Sequence, residues 1–575
     1  MNFFVKLEGN RLLRIRHIEI NNFRGIKHAD LTFPSTQRLI CLIGPGDSTK
    51  STILTAIHYA LWPNWNLTIS SSDFYECNTE ESISIEVSFD EFPDSFLREQ
   101  KYGFYLRGSW DTDSDEPTEN DCFLTARLEI NDSFEPQWSI VCNRLDRKAF
   151  STADRQLISP GMIGIDFSQN LNWGQGSALA KYVDPRETIK KNLSIIEAES
   201  RKIGDYSELD AIAPIISGVA DGYGVSIEGN LNNKVSLKSK NVLSTIELFE
   251  GNKPFNQRGY GSKKLINLGL QVGNSDKASI LLIDEIEIGL EPYRQKNLLH
   301  RLKREVEKVG QVIFTTHSTI VLAELDISQL ILVNSLDGST SFQVIANEDV
   351  VLNSRMQGML RRIPDAFLTP RILICEGITE VGFIRSLDDK LQAKEEYYMA
   401  SRCVSYADGK GGAEALAVAE RFSDLGFDVA VLVDNDRPED KEKKKLLLSK
   451  GIPIFSWDEG KCIETALLPL LSKESLGKLL LWDSEKKDAT WDELIKQGYA
   501  TARYSFKDNL QDTDLLGVAK ICSKKEFFKR VSGGEALGKT IFENWGNISS
   551  KKEEAKTINA IVKWINYGDD KGISK

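Results

Sequence analysis

The sequence predicts an α/β protein in two parts: a phosphate-binding lobe interrupted by a helical insertion, then a second α/β series rich in carboxylates. Three stretches carry that prediction. Leu39–Ile43 is an apolar run that opens into Gly44-Pro45-Gly46-Asp47-Ser48-Thr49-Lys50-Ser51. Ile280–Ile283 is a second apolar run, ending in Asp284-Glu285. Arg371–Cys375 runs into Glu376-Gly377, with Glu380 close behind. Each reads as a short buried strand with polar chemistry at its exit, the pattern of sheets that gather ligands at the carboxyl ends of their strands.

At 575 residues the chain is too long for one core. Its 27% charged and 41% hydrophobic residues are those of a soluble globular protein. A net charge of -12 excludes a generally basic nucleic-acid binder, so contact with DNA must run through local Lys/Arg patches or metal-bridged phosphates. The 8 cysteines form no CxxC pair and the 5 histidines no HExxH, which argues against a disulfide scaffold and a zinc site. The N-terminus is broken by charges too often for a signal peptide, and no apolar run reaches the length of a membrane span. A cytoplasmic protein without a membrane partner is expected.

The first lobe begins with a strand at Ile15–Asn21, a turn at Asn22-Phe23-Arg24-Gly25 and a second strand at Ala29–Phe33. The Leu39–Ile43 strand, the loop from Gly44 and the helix Ile53–Leu61 then supply the strand–loop–helix context of a P-loop. Backbone N–H groups around Gly44 and Gly46, with the helix N-terminus at Ser51 and Thr52, would cradle phosphates. Lys50 would reach the β/γ-phosphates and Ser51 would hold Mg²⁺. The consensus has a second glycine where this chain has Thr49. That position usually wants φ > 0, where a β-branched residue is strained by roughly 1–3 kcal/mol. Asp284 would hold the magnesium shell through water, and Glu285 would orient or deprotonate the attacking water. Val312–Thr316 is a further strand ending at His317, placed to contact a γ-phosphate, with a helix at Tyr293–Val309 before it.

The order P-loop, acidic strand, histidine strand resembles the ABC-type ATPase heads of RecF- and SMC-like proteins. That resemblance implies ATP as ligand, paired heads, and a signature loop given to each nucleotide by a second subunit. Gln257–Leu265 stands where the signature belongs, with Gly259, Gly261 and Ser262 ahead of a helix, although it is not a strict LSGGQ. Ser70–Phe74 is the counterpart of the family's Q-loop, with Asp73 in place of the glutamine.

Strands are expected at Ser82–Phe89, Phe123–Ile130 and Trp138–Cys142, and Asp111–Glu116 reads as a solvated acidic loop. From Asp184 the pattern turns helical, through Lys190–Ile203 and Glu208–Ala220. Without sustained heptads this is no SMC-type coiled coil, but a compact insertion for dimerisation or for packing alone. Strand character returns at Val225–Gly229, Val235–Lys238 and Ser244–Phe249, expected to rejoin the first lobe. Ile320–Val333 and Phe342–Ile345 complete it, and Arg361–Asp365 marks the boundary, with Pro364 and Pro370 as breakers.

Beyond it come the helix Thr379–Leu391, the strand Arg402–Tyr406, the glycine turn Asp408–Gly412, the helix Ala413–Leu425 and the strand Phe427–Val433. That strand ends at Asp434-Asn435-Asp436, and alternate residues on an extended segment share a face. A basic helix, Glu439–Ser449, and a strand, Ile452–Ser456, precede Ile463-Glu464-Thr465. Alternating β and α elements imply a parallel sheet, with Glu376, Asp434 and Asp436 at its carboxyl edge. Such carboxylates repel one another unless cations neutralise them, and hard oxygen donors favour Mg²⁺ or Mn²⁺. The basic run Lys441–Lys445 is either a solvated face or a contact for the DNA backbone. Trp482, Trp491, Trp545 and Trp564 read as core.

E-G-x-x-E followed by D-x-D resembles the TOPRIM domain of topoisomerases, primases and nucleases. An ABC-type head followed by TOPRIM resembles the OLD (overcoming lysogenization defect) family of endonucleases, which includes the Gabija nuclease and OLD-like retron effectors. That resemblance covers nearly the whole chain. It implies an ATP-regulated, Mg²⁺- or Mn²⁺-dependent endodeoxyribonuclease of antiphage defence. Its metal-binding and catalytic residues would be Glu376, Glu380, Asp434, Asp436 and Glu464. A late lysine would counter charge on the scissile phosphate: Lys539, with Lys524, Lys525, Lys529, Lys551 and Lys552 as neighbours. DNA, a second copy of the chain through the heads, and a helicase or a reverse transcriptase with its DNA product are the implied partners. The expected division is an ATPase part at 1–150, an insertion at 151–222, the returning ATPase part at 223–364 and a nuclease domain with its extension at 365–575.

Overall fold

The structure, a computed structural model, describes residues 13–108, 116–117, 122–164, 179, 207–227, 229–235, 246–273, 280–393, 398–482, 487–548 and 553–566. The chain divides into two compact units, Met1–Ala346 and Asn347–Lys575. The helix Val350–Arg362, which the expected boundary at Arg361–Asp365 leaves on the side of the first lobe, falls in the second unit. Among the described residues no helix is long and apolar enough to cross a membrane.

The first unit is built on β1 (Arg14–Phe23), β2 (Ile26–Thr32), β3 (Leu39–Ile43), β4 (Ile83–Asp90), β5 (Leu124–Ile130), β6 (Pro136–Val141), β7 (Lys148–Ala149) and β8 (Gly161–Ile163). After these come β9 (Leu231–Val235), β10 (Ile246–Glu250), β11 (Lys253–Pro254), β12 (Ile280–Ile283), β13 (Gln311–Thr315), β14 (Leu330–Leu336) and β15 (Ser339–Val344). A 12-stranded sheet has the order β7-β6-β5-β4-β1-β2-β15-β14-β3-β13-β12-β8. Strands β14, β3, β13, β12 and β8 run parallel, and the central β3, β13 and β12 are buried on both faces, as double-sided cover requires. The outer strands β1, β4 and β5 pair antiparallel and alternate buried with part-exposed residues over much of their length. Their buried residues join those of the P-loop helix Lys50–Ala60 in one core.

Three expectations for the middle change. Gly161–Ile163 lies in the span read as insertion, yet pairs with β12 as the edge strand of the main sheet. Ile163 is fully buried and its carbonyl accepts the Asp284 N–H at 2.9 Å, so the strand belongs to the acidic strand's surroundings. The strands expected to rejoin the lobe instead form their own sheet, β11-β10-β9. Residues 225–227 are not strand. Of the insertion helices, Lys190–Ile203 lies outside the described residues. Glu208–Ala220 is broken into Ser207–Asp210 and Ala213–Gly222, because Pro214 suits a helical first turn and not an interior.

The second unit holds β16 (Arg371–Cys375), β17 (Val404–Asp408), β18 (Asp428–Val433) and β19 (Ile454–Ser456) in a parallel sheet of order β17-β16-β18-β19. The chain leaves β16 for one side and returns on the other, so the crevice between β16 and β18 is a topological switch point. The later helices pack on this sheet around a core that includes Trp491 and Trp564, while Trp482 stays 37% exposed. Residues Ile378–Ala393, the helix after β16, pack directly against Val531–Glu543. A Cβ on Gly382 would stand 2.0 Å from the Val531 carbonyl oxygen, and one on Gly534 2.0 Å from that of Thr379.

Candidate nucleotide and carboxylate sites

Sheet order assembles the first site. Strand β13 lies between β3 and β12, so the P-loop, His317 and Asp284-Glu285 leave neighbouring strand ends. Thr49 has φ 66° and ψ 11°, so the loop keeps the left-handed turn although its residue is threonine. Asp47 is left-handed too, at φ 58°. At Gly44 (φ 150°) a Cβ would meet the Val333 carbonyl at 2.2 Å, whereas at Gly46 the space is open. Thr49 Oγ1 lies 3.1 Å from Thr340 Oγ1 on β15 and donates to the Ser48 carbonyl at 2.6 Å. Lys50 donates to the carbonyls of Gly44 (3.0 Å) and Pro45 (2.6 Å) and to Ser48 Oγ (3.0 Å), which holds its ammonium inside the loop. Burial lowers the Lys50 pKa against the opposing pull of Asp284.

Ser51 Oγ donates to Asp284 Oδ1 at 2.9 Å, and Thr315 Oγ1 to the same oxygen at 2.7 Å. These adjacent oxygen donors fit the hard Mg²⁺ that accompanies a nucleotide. Glu285, at φ 44°, is held by its own N–H on Thr315 Oγ1 (2.7 Å) and by Lys264, which donates to its carbonyl at 2.6 Å. His317 is exposed, and its backbone N–H reaches Glu287 Oε1 at 2.6 Å. Glu287 Oε2 accepts Thr316 Oγ1 at 2.6 Å. Gly261 touches the turn after β12: a Cβ there would stand 2.0 Å from the Gly289 carbonyl. Ser262 Oγ accepts from Arg294 at 3.4 Å, Gly259 precedes the helix Tyr260–Gly273, and Thr52 lies in the P-loop helix. Asp73 is a tether, accepting Arg24 Nε at 2.9 Å.

Sequence reasoning missed Glu287, Thr315 and Lys264. Lys264 is fully buried, and burial draws its pKa down to about 8 against the opposing pull of Glu287, Asp284 and Glu285. Its helical spacing in an amphipathic segment does not distinguish it from the part-exposed Lys263.

The second site lies at the switch point. Cys375 pairs with Leu432 and Asp408, so β16 and β17 end level and β18 one residue beyond, releasing Glu376, Gly409 and Asp434 at one sheet edge. Glu376 Oε2 accepts the Asp434 N–H at 2.8 Å. Glu380 Oε2 accepts the Gly377 N–H at 2.9 Å, and Asp434 Oδ1 that of Ile463 at 3.0 Å. Glu380 and Glu464 are buried, at 4% and 8% exposure. Burial, then the charges of Glu464 and Glu376, push Glu380 up to about 8. Burial, then Glu380, Glu376, Glu464 and Asp436, push Asp434 up to about 9. Burial also raises Glu464, with Lys529 opposing. Asp436 is exposed at the rim.

Among the described residues no three His, Cys, Asp or Glu side chains already converge as metal ligands. The reason is local: three carboxylates are turned onto backbone N–H groups. As a donor set they nonetheless fit a hard divalent cation, since they are all oxygen, mutually repelling and short of compensating charge.

The basic run divides. Lys441 pairs with Glu459 at 2.6 Å and Lys443 pairs with Glu420, but Lys444 turns inward, 9% exposed. It donates to the Asp434 carbonyl at 2.7 Å. Neither reading of the run anticipated this inward lysine. Lys539 is exposed on the helix Val531–Glu543. The lysine among the leading influences on Glu464 is Lys529. Lys551 and Lys552 lie outside the described residues.

Residues 39–323 match the family model described as "AAA domain, putative AbiEii toxin, Type IV TA system". The described residues of that stretch are mixed α/β, and the match supports an ATPase domain there. No curated protein matches the chain. Similar solved structures include the Smc head domain with an extended coiled coil bound to the C-terminal domain of ScpA from Pyrococcus furiosus. It is 15% identical, at a TM-score of 0.35, over 58% of this chain and 96% of that one. The SMC head domain from Thermotoga maritima is 15% identical, at a TM-score of 0.30, over 58% of this chain and 100% of that one.

Proposed function

We propose that the chain is an ATP-regulated, divalent-metal-dependent DNA endonuclease of the OLD type, serving in antiphage defence. The observation that carries this reading is the gathering of Glu376, Glu380, Asp434 and Glu464 at a sheet's switch point, on a chain that also holds an ATPase domain. Glu376, Glu380, Asp434, Asp436 and Glu464 would hold Mg²⁺ or Mn²⁺. The metal, when bound, supplies charge stabilisation and an activated water for phosphodiester hydrolysis. Lys444 steadies the Asp434 backbone, and Lys529 brings positive charge towards Glu464. Lys539 keeps the role of phosphate contact only as an outer-face lysine. ATPase heads pair, and nucleotide occupancy governs the nuclease. The protein acts in the cytoplasm.

The test is cleavage of supercoiled and linear DNA by the purified chain with Mg²⁺ or Mn²⁺, with and without ATP. Cutting is expected from the wild type and not from Asp434→Ala; Lys50→Ala should lose the response to ATP. Equal cutting by Asp434→Ala would refute the carboxylate site. A second reading is an ATP-sensing scaffold whose nuclease works only with a docked partner, such as a helicase or a reverse transcriptase with its DNA. The β-branched Thr49 in a left-handed turn favours it, because strain there argues against fast turnover. Wild type that cuts only when the partner is added distinguishes this reading.

A further inference from the structure

Beside the carboxylates, the second unit contains a cavity of about 250 Å³. It is lined by Arg355 and Arg362 of the helix Val350–Arg362, by Asp408-Gly409-Lys410 of the glycine turn, and by Glu414. Its volume falls below the roughly 300–1,000 Å³ of pockets that enclose a whole small ligand. It suits a segment of a longer molecule.

The cations here are held in place. Asp408 is buried, at 6% exposure, and its carboxylate takes both Lys410 Nζ (3.0 Å) and Arg362 Nη1 (3.3 Å). Lys410 is left-handed, at φ 68°, and its N–H also closes on Asp408 Oδ1 at 2.9 Å. A lysine in that conformation is strained, and Asp408 fixes it from both ends. Arg355 pairs with Glu414 at 3.4 Å. Three cations therefore face two carboxylates, and Arg355, Arg362 and Lys410 all keep exposed surface.

The same turn forms the wall between cavity and carboxylates. The Gly411 N–H donates to the Glu376 carbonyl at 2.8 Å, and a Cβ on Gly412 would lie 3.5 Å from Glu376 Oε2. The turn Asp408–Gly412 thus borders Glu376 on one side, with Asp440 Oδ2 also 2.7 Å from that Gly412 position, and the cations on the other, so a polyanion seated at the carboxylates can run along it to them.

We propose that Arg355, Arg362 and Lys410 form a backbone-phosphate subsite that seats the DNA strand beside the scissile phosphodiester. The inference rests on the nuclease reading and adds the track along which the strand lies. Asp408 is a positioning residue, presenting two cations at a set spacing. Phosphate contacts fix register without reading sequence, so the subsite contributes affinity and alignment and no base preference.

The experiment uses the full chain in EDTA, with fluorescent duplex and single-stranded DNA titrated at several salt concentrations. Arg355→Gln combined with Lys410→Gln leaves Arg362 on buried Asp408 and so spares the fold. Lys478→Gln, which removes an exposed partner of Glu474, is the control. The double variant is expected to bind duplex about tenfold more weakly or worse. Its salt slope should fall by about 0.9 for each phosphate that it no longer neutralises. The control should match wild type. Unchanged affinity and slope in the double variant, with cleavage still abolished by Asp434→Ala, overturns the subsite and leaves the nuclease reading intact. Wild type that binds no DNA in EDTA overturns the subsite, while the nuclease reading then stands or falls on cleavage with Mg²⁺ or Mn²⁺. A third arm adds inorganic phosphate at constant ionic strength. Saturable phosphate binding that needs Arg355 and Lys410, without any effect of these residues on DNA, overturns the proposal in favour of a small-anion site.

Discussion

Thr49 and Lys264 show how single residues set the chemistry of the nucleotide site. A left-handed non-glycine residue costs roughly 1–2 kcal/mol, and glycine there gives back about 0.5–1 kcal/mol in chain entropy. Thr49→Gly is therefore expected to bind ATP at least as tightly as wild type in an equilibrium titration. A loss of binding would mean that the contact with Thr340 outweighs the strain. Lys264→Met leaves the Glu285 carbonyl without its buried donor, a cost of roughly 1–3 kcal/mol. Because Glu285 sits at φ 44°, its aim depends on that anchor. ATP turnover should fall about tenfold or more at unchanged nucleotide affinity; equal loss in both would place Lys264 in binding instead.

At the scale of elements, the helix carrying Glu380 is placed by its glycine crossing. Thr379 Oγ1 donates to the Phe528 carbonyl at 3.2 Å and Ser386 Oγ to that of Glu535 at 2.8 Å, and both are possible only because the backbones approach closely. Gly382→Ala forces the helices apart. A cost of roughly 1–3 kcal/mol is expected in urea unfolding of the second unit, together with loss of DNA cutting but not of ATP binding. In the first unit, Asp154 joins the helix Thr152–Ile158 to the preceding loop through Lys101 and through Tyr102 Oη at 2.9 Å. Although burial raises its pKa, Lys101, Ser151 and Tyr102 together hold it below the ordinary 3.8. A depressed carboxylate stabilises the fold above its unfolded pKa, and that stability is lost as pH falls through the folded value. The gap in melting temperature between wild type and Asp154→Asn should thus be full at pH 7 and close below about pH 4. A gap that stays constant with pH would refute the linkage.

For the whole molecule, the carboxylate cluster couples stability to metal. Between the ordinary carboxylate range and the raised values of about 8 for Glu380 and about 9 for Asp434, folding must hold protons that the unfolded chain releases. Mn²⁺ or Mg²⁺ should therefore raise the melting temperature of the wild type, and more so at pH 8 than at pH 6. Glu380→Gln with Asp434→Asn should melt higher than wild type without metal and respond little to it. A double variant that keeps the full metal response would show that the cation binds elsewhere.

Much of this architecture was legible from pattern. Apolar runs followed by Gly44–Ser51, Asp284-Glu285 and Glu376-Gly377 mark strand exits, because parallel strands bury both faces and place polar residues only beyond their ends. The positive φ at Thr49 follows from the P-loop pattern, whose second glycine it replaces. What escaped was whatever depends on a partner distant in sequence. Nothing local distinguishes inward Lys264 and Lys444 from their part-exposed neighbours Lys263 and Lys443, nor marks Gly161–Ile163 as the edge strand of a sheet begun at Arg14. The glycines Gly533, Gly534 and Gly538 gain their meaning only from the facing helix, where Gly382 shows that they let two backbones meet. By itself the sequence determined the strands that carry the two sites and the residues that stand at their ends, since those follow from periodicity and backbone sterics. Only the tertiary structure decided which ends are neighbours. Strand order and the direction of a buried side chain are set by packing between segments hundreds of residues apart.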